Sequence, residues 1–339
     1  MKLNLDQIRS VTSGAVHITE ERDGIHFFRF TKAQMDLQHP YVPDLDRRYR
    51  TTAGIRLSFR TDSRTLFLCA DMTVCSEREY YALDVVVDGE LIGSMDNFSH
   101  LELPEDYTQL SYKCGVHEAS FDLGEGEKDV HIHLPWNACT VLRELGLEDG
   151  ASLTSLVQGK KLLAFGDSIT QGYDVQHPSN HHIAKLGLAL GASVHNKGLG
   201  GSVSFPELVQ ERDCFDPDYI LVAYGTNDWR KIALDDFLDR YRALLEAIRN
   251  HYPAAQVFLL TPIWRKDSDV IYAAGPFFEV EQHIKAIASD FRGFHVISGI
   301  DLVPHKEQYY ADLRLHPNDR GSEQYFGHLW TQIEPMLRL

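Results

Sequence analysis

Apolar and polar residues alternate over much of residues 1–147, the pattern of strands with one buried face. Runs rich in β-branched and aromatic residues recur at 25–30, 55–59, 65–68, 83–87, 119–123 and 130–134. Turn signals fall between them, notably Asp88-Gly89 and Gly124-Glu125-Gly126-Glu127. The pattern predicts an all-β, jelly-roll-like sandwich domain over 1–147, followed by a linker at 148–160. From 161 the period changes. A strand at 161–165 precedes a helix near 183–190 and a short strand at 193–196, and the continuous apolar run 219–224 suits a central parallel strand covered on both faces. Phe237, Leu238, Tyr241, Leu244, Leu245 and Ile248 follow at helical spacing. A strand at 256–260, a helix near 279–289, a strand at 294–297 and a final helix from about Ser322 complete the alternation. Strand and helix in turn over 161–339 predict a three-layer α/β domain.

Composition narrows the class. The chain has 339 residues, enough for two domains, and is 43% hydrophobic and 24% charged, as soluble globular proteins are. Its formal net charge of -16 argues against a nucleic-acid partner, since no basic stripe is present to displace counterions. No apolar run approaches the about 20 residues that span a bilayer, and the start lacks the basic-then-apolar pattern of a signal peptide. The five cysteines (Cys69, Cys75, Cys114, Cys139, Cys214) are odd in number and scattered, with no CxxC pair. Reduced thiols in a cytoplasmic protein are the expectation, with no membrane partner and with homo-oligomerisation left open.

Candidate chemistry begins at Gly166-Asp167-Ser168, where a strand ends in a turn that presents a serine. A serine hydroxyl attacks an acyl carbonyl only when a base takes its proton and donors already face the developing oxyanion. Ser168 offers its own backbone N–H to that space. Gly201, in Asn196-Lys197-Gly198-Leu199-Gly200-Gly201-Ser202, offers a second N–H with no side chain to block approach, and adjacent Gly200 is its rival. Asn227, in Gly225-Thr226-Asn227-Asp228, offers a side-chain N–H, and His316, in His316-Pro317-Asn318-Asp319, is the candidate base.

With these four blocks, residues 161–339 resemble the SGNH (GDSL) hydrolase family. The resemblance implies a flavodoxin-like α/β/α fold and hydrolysis of an ester through an acyl-enzyme, with neither metal nor organic cofactor. It also implies that Ser168 is the nucleophile, His316 the base, and the Ser168 N–H, Gly201 and Asn227 the oxyanion hole. The family usually carries an aspartate three residues before this histidine, where this chain has Leu313; the nearest carboxylate is Asp312, four before. A one-residue bulge would let Asp312 complete a triad; otherwise a backbone carbonyl orients the imidazole and the site is a Ser-His dyad. The stretches 121–126 and 134–136 resemble the β-sandwich that precedes the SGNH domain in two-domain carbohydrate acetyl esterases, which implies a short acyl group, acetyl, on a small-molecule or oligosaccharide ester.

Bland readings stand beside these. Trp229 and Arg230 either line the substrate pocket or pack at a helix start. Asp167 and Asp228 are expected to brace loops, Trp136 to be buried in the sandwich, and His177, His181 and His182 to be solvated or at the substrate rim. Within the same chemistry the rivals are a lipase, lysophospholipase or thioesterase; outside it, a carbohydrate-binding protein without turnover.

Overall fold

The strand Gly115–Asp122 shows how the alternating pattern folds: burial switches with every residue, because one face meets the core and the other meets water. The computed structural model describes residues 1–104, 107–213 and 215–337. Two antiparallel sheets form the N-terminal sandwich. One runs in the order Thr12–Ser13, Arg56–Thr61, Lys128–His133, Ala82–Val87, Glu90–Asp96; the other runs His17–Glu21, Gly24–Phe28, Ala138–Leu147, Thr65–Val74, Gly115–Asp122. Their inner faces share one core, in which Phe27, Leu68 and Leu142 meet Phe59, Val85 and Ile132.

The structure departs from an uninterrupted sandwich over 1–147 and a bare linker over 148–160. Thr154–Ser155 adds to the sandwich by pairing with Arg56–Thr61. Short helices Leu5–Val11, Lys32–Met35 and Leu45–Tyr49 interrupt the β pattern; each is too short to display a helical period. Phe30, Val42, Leu45 and Tyr49 pack into the core of the other half. Arg29 ties the seam. Its buried guanidinium donates to the carbonyls of Arg48 (2.9 Å), Thr51 (2.8 Å), Asn196 (2.7 Å) and Gly198 (3.2 Å). With only carbonyls and a hydroxyl around it, burial pushes its pKa down to about 9.

The C-terminal half is built on five parallel strands: β1 (Lys160–Gly166), β2 (Ala192–Asn196), β3 (Tyr219–Ala223), β4 (Gln256–Leu260) and β5 (Phe294–Ile297). Their order is β2-β1-β3-β4-β5, the flavodoxin-like doubly wound arrangement. Six helices matter here: α1 (Ser168–Gln171), α2 (His182–Ala189), α3 (Thr226–Lys231), α4 (Leu234–His251), α5 (Glu279–Ala288) and α6 (Asp319–Met336). Sheet residues sort by parity. Leu163, Phe165, Ile220, Val222, Val257 and Leu259 pack with α4 and α5. Leu162, Ala164, Leu221, Phe258 and Leu260 face α2 and α6. In such a sheet the reacting groups gather beyond the carboxyl ends of the strands, around the switch in strand order at β1 and β3.

No described helix is long and apolar enough to cross a membrane. Cys69, Cys75, Cys114 and Cys139 are free, and Cys214 lies outside the described residues. The two halves meet over an aromatic cluster that includes Tyr80, Phe98, Trp136 and Tyr173. Trp136 is buried there, with its ring centroid 4.6 Å from that of Tyr173 and its Nε1 donating to Val175 O.

Candidate active site

Strand β1 ends at Gly166, whose place no larger residue could take: a Cβ there would lie 2.1 Å from Thr170 Oγ1. Asp167 caps α1, its Oδ1 accepting from the Ile169 N–H at 2.9 Å, and Ser168 is the first helical residue. That position leaves the Ser168 N–H without an intrahelical acceptor.

His316 arrives from the loop before α6. Its Nε2 lies 2.9 Å from Ser168 Oγ and its Nδ1 lies 2.8 Å from Asp312 Oδ2. A carboxylate on Nδ1 fixes the proton there and leaves Nε2 as the acceptor facing the serine. The four-residue spacing is absorbed at Leu313, which takes a left-handed φ of 54°. The loop is closed by Ala311 N–H to His316 O (2.9 Å) and Leu313 N–H to Tyr310 O (3.1 Å). Asp312 Oδ1 accepts the N–H groups of Arg314, Leu315 and His316 at 3.0, 2.7 and 3.0 Å. Of the two arrangements left open by sequence, the bulge is the one observed.

A second carboxylate, missed in the sequence, stands beside the imidazole. Asp174 is 0% exposed, holds a φ of 70°, and places Oδ2 3.3 Å from His316 Nδ1. Arg78 and Tyr80 of the sandwich half hold it: Arg78 Nε and Nη2 lie 2.7 and 3.0 Å from its two oxygens, and Tyr80 Oη donates at 2.9 Å. Burial alone would lower the pKa of His316. The hydrogen bond to Asp312 and the charges of Asp174 and Asp312 outweigh burial, and the net shift is upward. Burial raises the Asp312 carboxyl, but the His316 hydrogen bond and charge with two backbone N–H groups bring it well below the usual carboxylate range. Asp174, Asp312 and His316 bring ligand atoms within 4.8 Å of one another. Arg78 already supplies a countercharge there, and His316 Nε2 is turned to the serine.

Between the glycine rivals, hydrogen bonding distinguishes. The Gly200 N–H is committed to Gln171 Oε1 at 2.8 Å, whereas the Gly201 N–H has no acceptor among the described residues. Gly201 has a φ of +77°, a conformation suited to glycine. Arg48 Nη1 donates to Gly200 O at 2.6 Å, fixing the peptide whose other end is the Gly201 N–H. Asn227 sits in the first turn of α3, its Nδ2 donating to Ser202 O at 3.1 Å and approaching Asp167 Oδ2 at 3.4 Å. Ser168, Gly201, Asn227, Asp312 and His316 line one cleft of about 320 Å³.

The sequence places these groups on a strand-turn-helix, a glycine loop and a helix start, and residues 164–324 match the family described as GDSL-like Lipase/Acylhydrolase. The C-terminal half is a GDSL-type serine hydrolase domain. Solved structures resemble the whole chain. A salicylyl-acyltransferase from a tetracycline biosynthetic pathway aligns at 22% identity over 96% of this chain and 94% of its own, with a TM-score of 0.77. A putative GDSL-like lipase from Bacteroides ovatus aligns at 16% identity over 100% and 98%, also at 0.77. An acetyl xylan esterase from Butyrivibrio proteoclasticus aligns at 13% over 99% and 98%, at 0.64. At these identities the likeness is one of fold. No curated protein matches the chain in sequence.

The structure divides Trp229 and Arg230 between the two readings left open for them. Trp229 does not line the pocket: it is 0% exposed, packed edge-on against Tyr272 and Phe277, with Nε1 donating to Gly275 O. Arg230 does line the cleft. His181 and His182 are buried rather than solvated, His181 bonded to Ile169 O and His182 stacked on Tyr325; His177 pairs with the buried Asp84. Asp228 braces the loop as expected, accepting from Ser204 and Gly225. Lys231 was also missed, although its spacing from Asn227 on α3 puts it on the same helix face. Arg48, Arg78 and Asp174 carried no comparable sequence signal, because their roles depend on how the two halves pack.

Proposed function

We propose that the protein is a serine esterase that removes short acyl groups, acetyl foremost, from a hydroxylated substrate such as a sugar. The observation that carries this reading is the hydrogen-bonded chain Ser168–His316–Asp312 at the edge of a cleft that also holds Gly201 and Asn227. His316 Nε2 takes the Ser168 proton as Oγ attacks the ester carbonyl, and Asp312 stabilises the imidazolium. The N–H groups of Ser168 and Gly201 and the Asn227 amide receive the oxyanion. His316 then gives its proton to the leaving alcohol, and water, deprotonated by the same nitrogen, releases the acid and restores Ser168.

The acetyl and sugar parts draw support from structural neighbours that are acetyl xylan and family 2 carbohydrate esterases. A cleft bordered by Arg48, Glu77, Arg230, Lys231 and Arg314 also suits a small polar substrate better than a long acyl chain. The test is labelling by a fluorophosphonate, with hydrolysis of p-nitrophenyl acetate and octanoate. The expected result is labelling of Ser168 and preference for acetate, both lost in Ser168→Ala. Preference for octanoate would move the protein to the lipases. A folded protein that neither labels nor turns over would be a carbohydrate-binding protein.

A further inference from the structure

The chain is strongly acidic, 49 Asp and Glu against 33 Lys and Arg. The cleft in front of Ser168 departs from that balance. Four cations line it, Arg48, Arg230, Lys231 and Arg314, against two carboxylates, Glu77 and Asp312. Both carboxylates are committed. Glu77 pairs with Arg48 and accepts from Tyr173 Oη, and Asp312 serves His316 and three backbone N–H groups. Arg314 lies 3.4 Å from Asp267, but Arg265 already holds that carboxylate at two points, 2.6 and 3.1 Å away. Two guanidinium groups therefore share one negative charge. Arg314 Nε is buried and has no hydrogen-bond partner among the described residues.

Arg230 and Lys231 have no ion-pair partner among the described residues. Lys231 Nζ donates to the carbonyls of Gly201 and Tyr41, and Arg230 stands over the Tyr272 ring, 5.9 Å from its centroid. Their position follows from α3: residues three and four beyond Asn227 share its helix face. Lys231 Nζ and Arg48 Nη1 each come within 3.3 Å of the point that a Cβ on Gly201 would occupy. Arg314 is two residues before His316, which places the third excess cation on the base's side of the serine. Arg230 and Lys231 are exposed at the cleft mouth, and the buried Nε of Arg314 is the polar group whose burial without a partner is unfavourable. A cluster of one sign in a cleft also concentrates ligands of the other.

We propose that the ester taken by this cleft carries a carboxylate close to the scissile bond, held by Arg230, Lys231 and Arg314 while Ser168 attacks. The inference rests on the esterase reading above and deepens it by naming the charge of the substrate. The carboxylate can belong to the acyl part, as in a hemisuccinate, or to the alcohol part, as in an acetylated uronic acid.

Two matched pairs separate these sources and test the claim: 4-nitrophenyl succinate against its methyl ester, and an acetylated methyl glucuronoside against its methyl ester. The readout is the ratio of kcat/KM for acid over methyl ester. In one pair the acid is expected to be favoured by about tenfold or more at low salt, the gap narrowing as salt rises. Arg230→Gln and Arg314→Gln each lower that ratio, and Arg230→Glu inverts it. A ratio of one or below in both pairs overturns the proposal even if acetate esters are hydrolysed well. If no ester is turned over, the esterase reading fails by itself. Binding of methyl glucuronoside and methyl glucoside to Ser168→Ala, measured by calorimetry, then decides: tighter binding of the acid supports the anion site, and equal binding overturns it.

Discussion

Arg78 and Asp174 lie 96 positions apart and form a two-point buried ion pair that joins the sandwich half to the His316 imidazole. Asp174 Oδ2 reaches His316 Nδ1 at 3.3 Å, so the pair sets part of the field in which His316 titrates. Asp174 raises the His316 pKa and Arg78 lowers it. Only neutral His316 can act as base, so kcat/KM climbs as pH passes upward through this pKa. Asp174→Asn removes the nearby negative charge and moves the acid limb of the profile to lower pH. Arg78→Met removes the opposing positive charge and moves it to higher pH. The second variant also strands a buried carboxylate, at a cost of about 3–5 kcal/mol in unfolding free energy. Acid limbs coincident with wild type in both variants would mean that the pair is purely structural.

Asp312→Asn is expected to lower kcat by orders of magnitude, up to about 10⁴-fold. The amide can keep the loop's N–H bonds on Oδ1, so folding survives while the carboxylate on Nδ1 is lost. Asp174→Asn should cost less, because the 2.8 Å contact of Asp312 is the shorter of the two. Single-turnover kinetics on folded variants give the comparison, and a near-native rate in Asp312→Asn would remove that residue from the mechanism.

Asn227→Ala removes the proposed oxyanion donor together with its hydrogen bond to Ser202 O, so its kinetics are compared on protein shown to be folded. A fall of about 10²–10³ in kcat with KM little changed is the signature of an interaction made only in the transition state. A rise in KM alone would assign Asn227 to ground-state binding.

Leu313 is strained for a reason: its left-handed φ absorbs the extra residue between Asp312 and His316. Glycine adopts that conformation freely and a β-branched residue does not. Leu313→Gly should retain activity, and Leu313→Val should lose both kcat and melting temperature. Equal behaviour of the two variants would show that the bulge does not position the base.

The four blocks of the site were legible because chemistry at a turn demands particular residue types: a glycine where Cβ would clash, a serine at a helix start, a histidine before the last helix. The parallel sheet was legible because its three central strands, β1, β3 and β4, carry apolar runs that cover both faces. Strand Ala138–Leu147 was not, since a bulge between Leu142 and Glu144 breaks its alternation. Segment 30–49 reads as part of the sandwich, yet its apolar residues serve the hydrolase core. Among the groups that reach the machinery from the first half, Arg48 and Arg78 are exposed-looking arginines in sequence. Their partners, Gly200 O and Asp174, are set only by how the halves dock.

Asp167 gives the last prediction, in pH and stability. Burial is the main cause that pushes its carboxyl up to about 7, against about 3.9 in an unfolded chain. Between these values the folded state holds a proton that the unfolded state has released, so this group makes stability fall as pH rises from about 4 to about 7. Above that range the penalty is constant and of the order of a few kcal/mol. Asp167→Asn keeps an acceptor for the Ile169 N–H and removes the charge. The buried histidines His181 and His182, with pKa values lowered by burial, push the slope the other way and are common to both proteins. The difference in urea unfolding free energy between Asp167→Asn and wild type should therefore grow in favour of the variant from pH 5 to pH 8. A difference that stays flat over this range would show that Asp167 is ionised throughout and held by its hydrogen bonds.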